Sequence, residues 1–136
     1  MNGLNYREMC VGILKLDRGI MFAGIATMEG KIVAAEYRDG LEPMLTKEES
    51  ELSIMQSLIR MSTRRTLEAK LGKTIYAFAV YQKIKRATIM MYNEGSKIDS
   101  VLMVSFDRET DHELVITDMI MPFLKEAGKS LDNDGS

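Results

Sequence analysis

The raw material of catalysis is scarce in this chain. Its 136 residues include one histidine (His112), one cysteine (Cys10), two prolines and no tryptophan. A single thiol cannot close an internal disulfide, which fits a reducing compartment. One His and one Cys cannot form a cluster at metal-ligand spacing, so no metal and no cofactor are expected. No apolar run approaches the ~18 residues that would cross a bilayer. The first residues lack the basic-then-apolar pattern of a secretion signal, so the expectation is a cytoplasmic protein with no membrane span.

The familiar chemical motifs are missing too. There is no G-x-x-x-x-G-K-[ST] or G-x-G-x-x-G phosphate cradle and no G-x-S-x-G elbow. Gly72-Lys73-Thr74 imitates the tail of a phosphate loop, but it follows a helix instead of opening one, so it lacks the helix N-terminal amides that hold phosphate. Asp107, Glu109, Asp111 and Glu113 alternate as in a calcium loop, without that motif's glycine and terminal glutamate. His112 reads as an exposed first-turn helix residue, and Cys10, in an apolar helical stripe, as a small core side chain. Together these absences point away from an enzyme.

What is present is globular. Hydrophobic residues make up 46% and charged residues 28%, ordinary values for a folded domain. The length suits one domain, read as residues 1–128, with a polar tail at 129–136 expected to be disordered. Asn5 to Glu8 forms a capping box, and Tyr6, Met9, Cys10, Ile13 and Leu14 follow at helical spacing. Gly19 is read as the stop of that helix. Strands are predicted over Ile20–Thr27 and Lys31–Tyr37, joined at Met28-Glu29-Gly30, with a loop over Arg38–Leu45. A second capping box, Thr46 to Glu49, opens a long helix to about Lys70, with Gly72 as its stop. Three more strands are predicted over Lys73–Tyr81, Arg86–Tyr92 and Ile98–Phe106, with turns at Gln82–Lys85 and Asn93–Ser96. Thr110 to Glu113 would cap a last helix, kinked or interrupted at Pro122 and closed by Gly128. The order α-β-β-α-β-β-β-α gives an α+β sandwich: one five-stranded, antiparallel-rich sheet with helices on its faces.

The long helix carries unusual apolar width. Leu52, Ile54, Met55, Leu58, Ile59, Met61 and Ser62 fall within about 180° of its circumference, against about 100° for a surface helix. The opposite arc holds Ser50, Ser53, Gln56, Ser57, Arg60 and Arg64. The excess, taken as centred on Ile54, Leu58 and Met61, is expected to need a second partner, either another helix of the chain or a second copy.

The element order, the long middle helix and the segments Phe22-Ala23-Gly24-Ile25 and Gly30 to Ala34 resemble the roadblock/dynein light chain family within the profilin-like class. Arg60-Met61-Ser62-Thr63-Arg64 and Leu71-Gly72-Lys73 are similar to small archaeal proteins. The resemblance spans roughly residues 5–127. It implies a non-catalytic scaffold, a dimer formed through the middle helix and the following strand, and a place beside small GTPases. The interface residues it implies are Ile54, Leu58, Met61, Thr74, Ile75, Tyr76, Ala77 and Phe78.

Charge is polarised along the chain. Residues 60–86 hold Arg60, Arg64, Arg65, Lys70, Lys73, Lys83, Lys85 and Arg86 against Glu68 alone, a net +7, while the remainder carries −9. A solvated face is the plain reading, and a docking patch for an acidic partner the sharper one. Nucleic acid is not expected, since only Tyr76 and Tyr81 are near enough to stack bases and no nucleic-acid-binding signature is present. The alternative to a scaffold is a small-molecule sensor, with Ala23, Gly24, Ala34 and Ala35 leaving room for a ligand between sheet and helix.

Overall fold

A computed structural model describes residues 5–92 and 98–127. The turn at 93–96, Gly128 and the tail at 129–136 lie outside the described residues. The elements are α1 (Tyr6–Leu14), β1 (Ile20–Thr27), β2 (Ile32–Tyr37), α2 (Lys47–Arg65), α3 (Glu68–Leu71), β3 (Tyr76–Val80), β4 (Ile84–Tyr92), β5 (Ile98–Asp107) and α4 (His112–Val115). After α4 the chain passes through a π-helical turn, Ile116–Ile120, into helical residues 121–127.

Two of the three capping boxes form as read. The Glu8 amide donates to Asn5 Oδ1 at 2.8 Å and the Asn5 amide to Glu8 Oε1 at 3.1 Å. Thr46 and Glu49 repeat the exchange at 2.9 and 3.1 Å. The third cap moves by one residue: Asp111, not Thr110, accepts from the Leu114 amide. Gly19 is also needed for a different reason than a left-handed helix stop. Its φ is not positive, and the Thr110 side chain occupies the space a Cβ would need. Gly30 does adopt the left-handed region (φ 88°) at the tip of the β1–β2 hairpin.

The long helix does not run unbroken to Lys70. The Thr63 hydroxyl donates to the Ile59 carbonyl and the Thr66 hydroxyl to the Thr63 carbonyl, while the Leu67 amide closes a tighter bond to Arg64. Such hydroxyl back-bonding competes with the helical ladder, and α2 ends at Arg65. Pro122 leaves its mark one turn upstream. It cannot donate to residue 118, and the chain widens there, with the Met121 amide reaching back five residues to Ile116 in a π-turn.

The sheet order is β2-β1-β5-β4-β3, and every neighbouring pair is antiparallel. The hairpins β1–β2 and β3–β4 are therefore joined only by β5, which lies between them. Side-chain alternation along β5 divides the interior in two. Leu102, Val104 and Phe106 join Met9, Cys10, Ile13, Ile89, Ile116 and Ile120 in a core under α1 and the C-terminal helix. Val101 and Met103 join Ala26, Ile54, Met61 and Met90 in a smaller core under α2.

Candidate interaction surface

The sheet takes one edge of the α2 apolar arc and leaves the other bare. Ile54 and Met61 are buried in the smaller core and Leu58 is half-buried beside it. The sequence placed the excess on these three residues, but the protomer's own sheet consumes that arc. The uncovered residues are Leu52 (60% exposed), Met55 (44%) and Ile59 (63%), about 100° to 160° around the helix from Ile54. Hydrophobic periodicity gives the width of an apolar face; it does not say which margin meets the sheet.

Charge along α2 is ordered. Glu48, Glu49 and Glu51 occupy its first turns and Arg60, Arg64 and Arg65 its last, each sign complementing the helix dipole at its end.

β3 forms one edge of the sheet, with a row of backbone groups unpaired on its outer side. Tyr76 packs towards the larger core. Phe78 is half-exposed, its ring 4.1 Å from that of His112. This contact replaces the exposed setting expected of His112, which is partly buried, with an Nδ1 that has no partner. Ile75 and Val80 are exposed. Thr74 precedes the strand, and its carbonyl accepts from the Tyr92 hydroxyl at 2.7 Å.

The basic residues are only partly gathered. Arg60, Arg64 and Arg86 line one narrow groove of about 200 Å3 between α2 and strands β3 and β4, where Ala77 and Ala79 are too small to fill the gap. Lys85 belongs elsewhere, its ammonium donating to the Thr110 carbonyl at 2.7 Å. Lys73 lies 4.9 Å from the centre of the Tyr92 ring, and Lys70 sits on α3.

A larger cavity of about 750 Å3 adjoins this groove beneath the first half of α2. Its floor includes Phe22, Tyr37, Met103 and Ser105, its walls are the loop at 41–45 and the turn at 81–84, and Ser50 and Ser53 line it from the helix. Arg86 stands between the two spaces, donating to Ser53 Oγ at 2.9 Å. None of Ala23, Gly24, Ala34 or Ala35 lines the cavity. Ala23 is buried in the larger core, and the Phe22 ring closes over Gly24. Cys10 is fully buried and its thiol is pushed up to about 12, by burial first and by Glu36 second. That setting makes it a core residue and no nucleophile. Among the described residues no three His, Cys, Asp or Glu side chains stand close enough to hold a metal, and no helix is long and apolar enough to cross a membrane.

Solved structures share this architecture across almost the whole chain. A Roadblock/LC7 domain from Streptomyces avermitilis superposes with a TM-score of 0.64 at 11% identity, covering 96% of this chain and 97% of that one. MglB in a tetrameric arrangement gives 0.65 at 12% identity, covering 96% and 91%. The fold is that of a Roadblock/LC7 domain. A further structure with this architecture is the inducer-binding domain of PobR from Acinetobacter, a double mutant in complex with 3-hydroxybenzoic acid, with a TM-score of 0.53 at 8% identity over 92% and 94% of the two chains. No protein-family model matches the sequence, and no curated protein matches it.

Against the roadblock fold, sequence reasoning missed Leu52, Met55 and Ile59 as the bare stripe and Tyr37, Ser53 and Arg86 as neighbours around one cavity. The run of small polar residues Ser50, Ser53 and Ser57 was the available signal. A helix face that carries serines where it meets a sheet leaves space there.

Proposed function

We propose that this domain is a non-catalytic interaction module that works as a homodimer, two copies meeting through α2 and the open edge of β3. The observation that carries the reading is the bare stripe Leu52-Met55-Ile59 on a helix acidic at one end and basic at the other. Two such helices laid antiparallel about an axis near residues 55 and 56 place Leu52 of one copy on Ile59 of the other. The same operation brings the acidic first turns of each helix alongside the basic last turns of the other. A two-fold contact is self-complementary in this way, and the edge strand β3 offers a further place for strand pairing between copies. The tetrameric arrangement of MglB, which shares the fold, supports self-association. The small-GTPase partner implied by the sequence resemblance belongs to this reading; comigration of a candidate GTPase with the dimer tests it.

Light scattering after size exclusion is the deciding experiment. The wild type should run as a dimer at concentrations on the order of 100 µM, and Ile59→Asp as a folded monomer, since that side chain makes little contact within the protomer. A monomeric wild type, or an Ile59→Asp variant that stays dimeric, would sink the reading.

A second reading, a small-molecule-binding domain, is favoured by the cavity under α2. The PobR domain of the same fold is seen with an aromatic acid. The two readings meet at Leu52, which lines the cavity and belongs to the bare stripe, and they do not exclude one another.

A further inference from the structure

We propose that the cavity beneath the first half of α2 is a binding site for a small aromatic monocarboxylate, its ring seated among Phe22, Tyr37 and Met103 and its carboxylate on the Arg86 guanidinium. This rests on the small-molecule reading, and its anchor Arg86 lies off the dimer stripe.

The size and lining come first. About 750 Å3 lies within the ~300–1,000 Å3 of ordinary small-molecule sites, which are mainly apolar with a few placed polar groups. The Phe22 and Tyr37 rings lie 4.7 Å apart and tilted by 47°, and Met21, Met44 and Met103 add thioethers around them. Rings and polarisable sulfurs favour an aromatic body over a plain acyl chain.

The charge comes next. Arg86 is partly buried, its hydrogen bond goes to the neutral Ser53 hydroxyl, and no carboxylate pairs with it among the described residues. A half-buried guanidinium with no anionic partner has donors left to offer, and its planar fork matches a carboxylate. The Tyr37 phenol is pushed up by burial and drawn down by Arg86, so the two donors stand within each other's field at the same end of the cavity. The other charges limit the ligand to a single negative charge. Glu49 lines the wall, its carboxylate held by the Thr46 amide; Glu42 lines it from an exposed loop position. A dianion such as a phosphate monoester would meet one inner cation, the exposed Lys83 and two carboxylates, a poor match.

The test is titration of 2-naphthoate into the full chain. The protein has no tryptophan, so naphthalene emission reads against tyrosine alone. Saturable binding, one per protomer, is expected. Arg86→Met should weaken it at least about tenfold, the loss of a charge-assisted hydrogen bond, and Arg86→Lys should fall between. Ser53→Ala, which releases the guanidinium from its protein partner, should bind as tightly as the wild type or more so. Neutral 2-naphthalenemethanol should bind wild type and Arg86→Met equally. Absence of saturable naphthoate binding by about 1 mM overturns the site, as does an equal loss of acid and alcohol in Arg86→Met. Decanoate binding as tightly as naphthoate overturns the aromatic assignment. Monomeric Ile59→Asp should keep naphthoate affinity; loss of binding together with the dimer would move the site to the interface between copies and overturn the proposal.

Discussion

The two faces of this sheet are finished to different standards. Under α1 and the C-terminal helix the interior is closed. Phe106, Ile13, Ile20 and Ile116 are fully buried, and the Phe123 ring sits where a Cβ on Gly12 would be, so the helices are drawn close together. Under α2 the helix is packed by Ile54 and Met61, while the serine side of its first half spans a cavity beside a groove lined by arginines. One face holds the fold and the other leaves surface for binding. The helix that packs loosely inside is also the one that carries bare apolar residues outside.

The sharpest way to break this contrast is to truncate each core in turn. Phe106→Ala, on the closed face, should cost about 4 kcal/mol in urea unfolding, because the surroundings cannot collapse into the space. Ile54→Ala, next to the cavity, should cost nearer 2 kcal/mol, the low end for such truncations, because α2 can settle. Equal losses would mean that the faces are equally well packed. A subtler probe is pH. The Cys10 thiol is raised from 9.0 in the unfolded chain to about 12 in the fold, so the folded state holds its proton more tightly. Its contribution to stability is complete below pH 9 and is lost as the pH rises towards 12. Cys10→Ala should flatten that alkaline decline, and the native thiol should resist a thiol reagent at pH 8 until urea exposes it. Thr46→Ala removes the cap of α2 and should cost about 1 kcal/mol. Smallest of all, Ser53→Ala should cost well under the roughly 1.5–3 kcal/mol usual for a charged hydrogen bond, because the guanidinium keeps access to water through the cavity. A large loss there would mean that Arg86 is sealed.

Much of this architecture was readable from local rules. Asn5 with Glu8 and Thr46 with Glu49 marked two helix starts because capping is settled within four residues. The five strands followed from alternation, and the β1–β2 turn from Gly30. The errors lie where a distant residue decides. The requirement for glycine at position 19 comes from Thr110, far away in sequence. The setting of His112 comes from Phe78, on the edge strand β3. The exposed margin of α2 depended on how the helix rolls on the sheet, which Ile54 and Met61 settle jointly with Val101 and Met103. For the cavity, Tyr37, Ser53, Arg86 and Ser105 come from four different elements, and no window of sequence contains two of them at a telling spacing.

The position of β5 governs when the chain can fold. It is the last strand to leave the ribosome, yet the first four strands form only two separate hairpins until it slots between them. A nascent chain halted before residue 98 would hold both cores unfinished and their apolar faces uncovered. Commitment to the native state is thus deferred until that strand has been made, and translation pauses upstream of it would be the moment of greatest exposure to chaperones.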